Sequence, residues 1–295
     1  MPLAARAAAC HAPRLLRTVI HVGGRFVAPG DAVVSLLDRG YLLGDGVFAT
    51  MRGYGGVCFR SERHIAELVR GAAVFGIDVP SPLSEIGALA DEAARRTAAR
   101  DAYVRVTLTR GAPGGPPTLS VLAREMDVPN DEAYLHGVAA VTVTPRRIPP
   151  ACLDGTIKTT SYAIPVLARR EVESKGAVEG IQLAIDGALA SGTMANLFVV
   201  KGDTLLTPSL ESGCRAGVTR GAILEVAPRL FREVREQRLE PSVLEEADEA
   251  FFTSTRVECL PIAAVDDRSI GRGRFDRTHA LRDALGSLIR SETSR

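Results

Sequence analysis

Of the 36 basic residues in this 295-residue chain only Lys158, Lys175 and Lys201 are lysines, leaving 33 arginines. Where charge alone is wanted this chain uses arginine, so a lysine in an apolar setting is there for an amine that can give up its proton, which a guanidinium cannot do. Lys175 follows Glu171 at helical i,i+4 spacing, and Lys201 precedes Gly202-Asp203 in a turn signal, so both read as solvated. Lys158 differs. It sits in Gly155-Thr156-Ile157-Lys158-Thr159-Thr160, after a β-rich segment and before a helix, where its amine points from a strand end into whatever cavity the chain encloses. Partial desolvation there lowers the pKa, and the neutral amine can form a Schiff base with a carbonyl. Spacing alone leaves a solvated loop lysine as the other reading.

The elements that position such a residue need a core, and an apolar share of 46% supplies one large domain or two ordinary ones. Basic (36) and acidic (35) residues nearly cancel, and no basic run is interleaved with aromatics. Neither a nucleic acid nor an anionic membrane has an electrostatic foothold, so the expected partner is a small molecule or a second copy of the chain. Cys10, Cys58, Cys152, Cys214 and Cys259 lie far apart without CxxC spacing, which argues against a metal site or disulfide framework and for a reducing, cytoplasmic setting. No apolar run reaches the roughly 18 residues of a membrane span. Residues 1–18 carry Arg6, Arg14 and Arg17 but no acid, and are read as a loose N-terminal extension.

From Val19 the chain alternates through Val27, turns at Pro29-Gly30 and runs on from Ala32 to Leu37, the pattern of a hairpin. Residues 61–75 have helical spacing at Ile65, Leu68, Val69 and Ala72, with Ser61 as N-cap and Gly76 as stop, and 84–99 repeat that logic. Residues 103–109 alternate as a half-buried strand. A polar stretch divides a small α/β domain at 19–127 from a larger β-rich domain at 137–295 that carries Lys158, with an interdomain loop at 128–136. In the larger domain strands are expected near 138–144, 180–185, 197–200, 204–206 and 249–253, and helices near 164–175, 219–230 and 278–289. Without a regular βαβ period the class is α+β.

Five segments carry a resemblance: Asp38-Arg39-Gly40-Tyr41-Leu42-Leu43-Gly44-Asp45-Gly46-Val47-Phe48; Ile157-Lys158-Thr159-Thr160-Ser161-Tyr162; Ser191-Gly192-Thr193-Met194-Ala195-Asn196-Leu197-Phe198; Ala216-Gly217-Val218-Thr219-Arg220; and Phe252-Thr253-Ser254-Thr255 followed by Pro261. In order and spacing the chain resembles the class IV aminotransferases, pyridoxal-phosphate proteins of fold type IV, from about Val19 to Ile289. The resemblance implies a two-lobed, D-amino acid aminotransferase-like fold, pyridoxal 5'-phosphate as cofactor, and a homodimer. By it, Lys158 is the Schiff-base lysine that also shuttles the Cα proton, and Tyr162 sits near the cofactor's phenolic oxygen. Val218 and Thr219 at a helix start, with Thr255 from a neighbouring loop, match the family's phosphate cup. Unpaired N–H groups and the helix dipole favour a dianion in such a place.

Three positions depart from the family. His64 is followed three places later by Glu67, where relatives have an arginine that grips the phosphate; Arg63 and Arg70, at i−4 and i+3 from Glu67, are the candidates to compensate. Ser191 precedes Gly192 where relatives set an acid against the pyridine nitrogen, and a serine offers a hydrogen bond without charge, so the ring becomes a poorer electron sink. Arg215 replaces an apolar side chain on the ring face and is read as stacking on the cofactor, gripping its phosphate, or binding an acidic substrate. Two functions follow. One is a pyridoxal-phosphate enzyme acting at the Cα of a small amino acid, by transamination or by pyruvate elimination of the aminodeoxychorismate lyase type. The other is a cofactor-degenerate relative that handles an acidic metabolite without pyridoxal phosphate. The motifs look closer to the aminodeoxychorismate lyase and D-amino acid aminotransferase branches than to the branched-chain one. Arg105 and Arg110 flank the strand from which relatives recruit a substrate-carboxylate group.

Overall fold

A computed structural model describes residues 18–294. The extension expected at 1–18 therefore lies, apart from Thr18, outside the described residues. The first sheet holds β1 (Val19–Val22), β2 (Arg25–Val27), β3 (Gly46–Tyr54), β4 (Val57–Cys58), β5 (Asp101–Thr109) and β6 (Thr118–Glu125), all antiparallel in the order β2-β1-β6-β5-β3-β4. Side chains alternate along β3: Val47, Ala49 and Met51 enter the core, while Phe48, Thr50 and Arg52 take the other face. The core set meets Val104, Val106 and Leu108 of β5 and is covered by Ile65, Leu68 and Ala72 of α2 (Ser61–Phe75) and by Ile86, Ala90, Ala93 and Ala94 of α3 (Leu83–Thr97). The alanines let the helices approach closely, and each large aliphatic side chain buried here contributes about 1.5–3 kcal/mol. A short helix, α1 (Arg39–Leu43), is capped by Asp38, whose carboxylate accepts from Gly40 N at 2.7 Å.

The second sheet has nine strands: β7 (Val138–Thr142), β8 (Glu179–Leu183), β9 (Leu189–Gly192), β10 (Asn196–Lys201), β11 (Thr204–Pro208), β12 (Glu233–Gln237), β13 (Glu249–Ser254), β14 (Glu258–Val265) and β15 (Arg268–Ser269). Their order is β12-β11-β10-β13-β14-β7-β8-β9, with β15 beside β14. The apolar runs of β10 and β13 are covered on both faces. Phe198 and Phe251, stacked with ring centroids 5.1 Å apart, meet Ile223 of α6 (Val218–Val226) and Leu281 and Leu285 of α7 (Asp276–Thr293), whereas Leu197 and Phe252 face a second core with Leu260 and Ile262. The class is α+β.

Three expectations give way to packing. The first hairpin turns at Gly23-Gly24, both at positive φ, and not at Pro29-Gly30. Residues 29–31 form a 3-10 turn and 32–37 join no strand, so Val33, Val34, Leu36 and Leu37 stay exposed: an apolar run without a partner edge makes no strand. The stretch 128–136, expected as loop, holds α4 (Asp131–His136), because the Asn130 side chain accepts from Ala133 N at 3.0 Å and caps it. Strands β3, β4, β6, β9, β12, β14 and β15 have no counterpart in the sequence reading. Lys175 and Lys201 are solvated as expected, paired with Glu171 and Glu246.

Candidate active site

The two sheets enclose a cleft of about 810 Å³, counted to its open mouth. Lys158 stands in it at a seam. Its segment is annealed to β3 of the first sheet: Phe48 N donates to Lys158 O at 2.8 Å and Thr160 N to Gly46 O at 2.9 Å, with Val47 and Thr159 bridged antiparallel. The chain then enters α5 (Ala163–Ser174), which packs on β8 of the second sheet. The amine lies 4.8 Å from the centre of the Phe48 ring, and that ring meets Tyr162 edge-on at 5.3 Å. Lys158 keeps some accessible surface because it faces the cleft, but its amine is deep. Burial, and then the guanidinium charges of Arg215, Arg105 and Arg147 with only Glu67 opposing, bring its pKa down to about 7. At neutral pH much of this lysine is free base, the state a nucleophile or proton acceptor needs.

Arg215 answers one question the sequence left open. Its Nη1 donates to Ile157 O at 2.8 Å and its Nη2 to Thr156 O at 3.2 Å, so the guanidinium clamps the two residues just before the lysine. Its own carbonyl accepts from Asn196 Nδ2 at 2.8 Å. Burial lowers the Arg215 pKa to about 10, which leaves it charged at neutral pH. Glu67 shares the cleft, its carboxyl pushed up by burial and held back by Arg215, Arg70 and Lys158. His64, one turn earlier, is driven to about 3 by burial and by the charges of Lys158 and Arg215, so it is a neutral imidazole.

One end of the cleft is built for an anion. Helix α6 begins at Val218 with no side-chain cap, and Val218, Thr219, Ser254 and Thr255 line the cleft there. Thr253 Oγ1 is buried at the same wall without a hydrogen-bond partner. Gly217 is required before the helix, because a Cβ on it would lie 2.4 Å from Asn196 Oδ1. Free helix-start amides, hydroxyls and the cations Arg215 and Arg147 set against one carboxylate make a cradle for a dianion. A phosphate at that end and a carbonyl at Lys158 fit these residues, and pyridoxal phosphate carries both. Away from the cradle, Ser191 is buried on β9 and donates Oγ to Gly192 O at 2.7 Å, which leaves its oxygen facing the cleft as an acceptor.

Of the residues singled out from sequence, Lys158, Tyr162, Ser191, Arg215, Val218, Thr219 and Thr255 line one cleft together with Glu67. Arg63 does not. It is exposed on α2, because i−4 from Glu67 is only approximately the same face and this helix turns the position to solvent. Arg70 is also drawn outward, to Asp154 and Thr156. Arg110 is spent on Asp45 at 2.7 Å and on Gly76 O at the end of α2. Arg105 lies 3.5 Å over the Phe48 ring, close enough for its charge to act on Lys158. The sequence reading missed Arg147. It lines the cleft, donating from Nε and Nη2 to Gly213 O and from Nη1 to Gln182 Oε1, and Gln182 is the register partner of Ser191. In a chain with 33 arginines, one more carried no signal.

Comparison with known proteins follows the same lines. The family described as Amino-transferase class IV matches residues 46–265. D-alanine aminotransferase of Bacillus licheniformis is 30% identical over 281 residues, covering 92% of this chain and 97% of its own length. Aminodeoxychorismate lyase of Bacillus subtilis is 32% identical over 274 residues, covering 89% and 92%. The crystal structure of the branched-chain amino acid aminotransferase of Escherichia coli superposes with a TM-score of 0.87 at 28% identity, covering 93% of this chain and 95% of that one.

Proposed function

Since the chain belongs to the class IV aminotransferases, a family of pyridoxal-phosphate enzymes, we propose that Lys158 takes and returns the Cα proton of an amino acid held in the cleft. When bound, pyridoxal phosphate supplies an electrophilic carbonyl that condenses with amines and a conjugated ring that accepts the electron pair left at Cα. The residues that would hold it are Val218, Thr219 and Thr255 at the phosphate, Tyr162 and Ser191 along the ring, and Arg215 beside the lysine. The observation that carries the reading is the buried, cation-ringed Lys158 amine with a pKa near neutrality, in the same cleft as an uncapped helix start. Arg215 holds the lysine's backbone in place and, together with burial, the larger cause, lowers the pKa of its amine. The Tyr162 hydroxyl, its pKa raised by burial, stays protonated and serves as a donor. Ser191 brings no charge to the ring, so slow turnover is expected. Transamination and pyruvate elimination share the Cα deprotonation, and the product identifies which one follows. The reading without cofactor has no feature in its favour.

The working form in this proposal is a homodimer. Val33, Val34, Leu36, Leu37, Tyr41, Leu42 and Leu43 are between 52% and 75% exposed, an apolar ribbon of the kind that a second copy covers. A reducing, cytoplasmic setting is consistent with the unpaired Cys58, Cys214 and Cys259, and among the described residues no helix is long and apolar enough to cross a membrane. The test is a titration with pyridoxal phosphate up to about millimolar, followed by assays for amino transfer and pyruvate release. A visible absorption band and either product are expected, both lost in Lys158→Ala; a folded wild-type chain that gives no band refutes the proposal.

A further inference from the structure

Behind the Thr219–Thr255 wall of the cleft runs a buried ionic cluster that no step above uses. Arg52, 8% exposed, pairs with Asp101 at 2.8 Å and with Glu258 at 3.0 Å, and its Nη1 donates to Arg256 O at 3.4 Å. Tyr54 donates its hydroxyl to Glu258 Oε1 at 3.1 Å, and Arg282 approaches the other oxygen at 3.6 Å. Glu258 and Ser254 are the register pair that closes the turn between β13 and β14, with Thr255 its first residue. Glu258 has φ +53°, a left-handed conformation that a glutamate keeps only where its surroundings over-determine it. The far side of the same turn is tied down as well, through Arg256 to Asp127 at 3.0 Å. A small void lined by Arg52, His64, Thr219, Thr255 and Glu258 joins the cluster to the cleft.

We propose that the Arg52–Glu258 pair is a positioning device for the anion end of the cleft, holding the strained turn so that the Thr255 hydroxyl meets a phosphate. Buried ions are an inefficient way to gain stability, since apolar side chains of similar volume do as well or better, whereas their directionality fixes geometry. The geometry fixed here is specific. Phe48, Thr50 and Arg52 share one face of β3: Phe48 lies under the lysine amine, Thr50 O accepts from Thr255 Oγ1 at 3.3 Å, and Arg52 anchors the turn. A single strand therefore sets the separation between the amine and the threonine. The long Thr255–Thr50 bond is a weak tether that the hydroxyl can leave for a charged acceptor.

The inference rests on the function proposed above, and its test compares pyridoxal phosphate with pyridoxal, which carries the same carbonyl but no phosphate. Dissociation constants are read from the visible band that each aldehyde produces on the full chain. In Glu258→Gln the affinity for pyridoxal phosphate is expected to fall about tenfold or more, the loss of a hydrogen bond to a charged group, while pyridoxal affinity stays within about twofold. Glu292→Gln, which removes a surface partner of Arg60 instead, is the stability control and should leave both affinities unchanged. Equal weakening for both aldehydes, or none for either, overturns the inference. If Glu258→Gln does not fold, Arg52→Lys, which keeps the charge but loses the forked geometry, is expected to show the same selective loss, and its absence overturns the inference equally. A wild-type chain that forms no band with either aldehyde refutes the underlying function, and this inference with it.

Discussion

Replacing Lys158 by methionine is expected to stabilise the cofactor-free protein at neutral pH and to flatten the pH dependence of its stability. In the folded chain the amine titrates at about 7, against 10.5 for an unperturbed lysine. The difference of 3.5 pKa units corresponds to at most about 4.8 kcal/mol. Between those two values the unfolded chain binds a proton that the folded chain does not, so stability rises with pH there, and the full penalty applies below the folded value. From pH 7 to about pH 9.5 the gain from this one group is about 3 kcal/mol, with part of the residue's surface reaching the cleft to reduce it. The assay is urea unfolding of wild type and Lys158→Met at both pH values, after the cofactor has been stripped with hydroxylamine. Every other titrating group is common to both proteins, so the difference between the two pH increments isolates Lys158. Increments that agree within about 1 kcal/mol mean that the amine is protonated in the folded chain, and the case for a neutral lysine collapses.

Arg215→Leu removes two hydrogen bonds from the lysine segment and a cation from beside the amine, so the pH midpoint for band formation with pyridoxal should move up by about one unit; an unmoved midpoint argues that Arg215 acts on the backbone alone. Thr219→Ala should weaken pyridoxal phosphate about tenfold in a spectral titration and leave pyridoxal unaffected. Ser191→Glu brings a carboxylate to the β9 position opposite Gln182 and within reach of the Arg147 network; amino-acid turnover is expected to rise roughly tenfold, 1.4 kcal/mol off the barrier, and a fall in keto-acid production contradicts the role given to Ser191. Sedimentation equilibrium should show a dimer for the wild type and a monomer once Leu36 and Leu42 are both aspartate; a monomeric wild type at micromolar concentration removes the dimer from the proposal.

Lys158 was legible because lysine is scarce, and α2 because its apolar residues recur at helical spacing up to a glycine stop. Residues 32–37 misled for a physical reason: Val33, Val34, Leu36 and Leu37 have strand-like composition, but a strand exists only where it pairs with an edge, and this run pairs with none. Register between distant segments was equally invisible, so the Phe48–Lys158 hydrogen bond, which sets the lysine's height, had no sequence signature. Arginine could not be sorted by type alone. Arg215 and Arg147 are half-buried and line the cleft, Arg110 is spent on Asp45, and Arg63 is in water, differences decided by which helix face or strand end each occupies.

The seam at Lys158 also bears on motion. Because the lysine's own carbonyl and the Thr160 amide are bonded to β3 while α5 packs on β8 of the other sheet, a hinge that spread the two sheets would have to peel the reactive segment off its strand. Rigid-body opening would therefore dismantle the lysine's alignment on every cycle. The proposed amino-acid substrate would instead enter and leave through the mouth of a cleft whose walls stay together, and the slow, correlated hydrogen exchange expected of the Phe48 and Thr160 amides would report on the rarest excursions of the molecule.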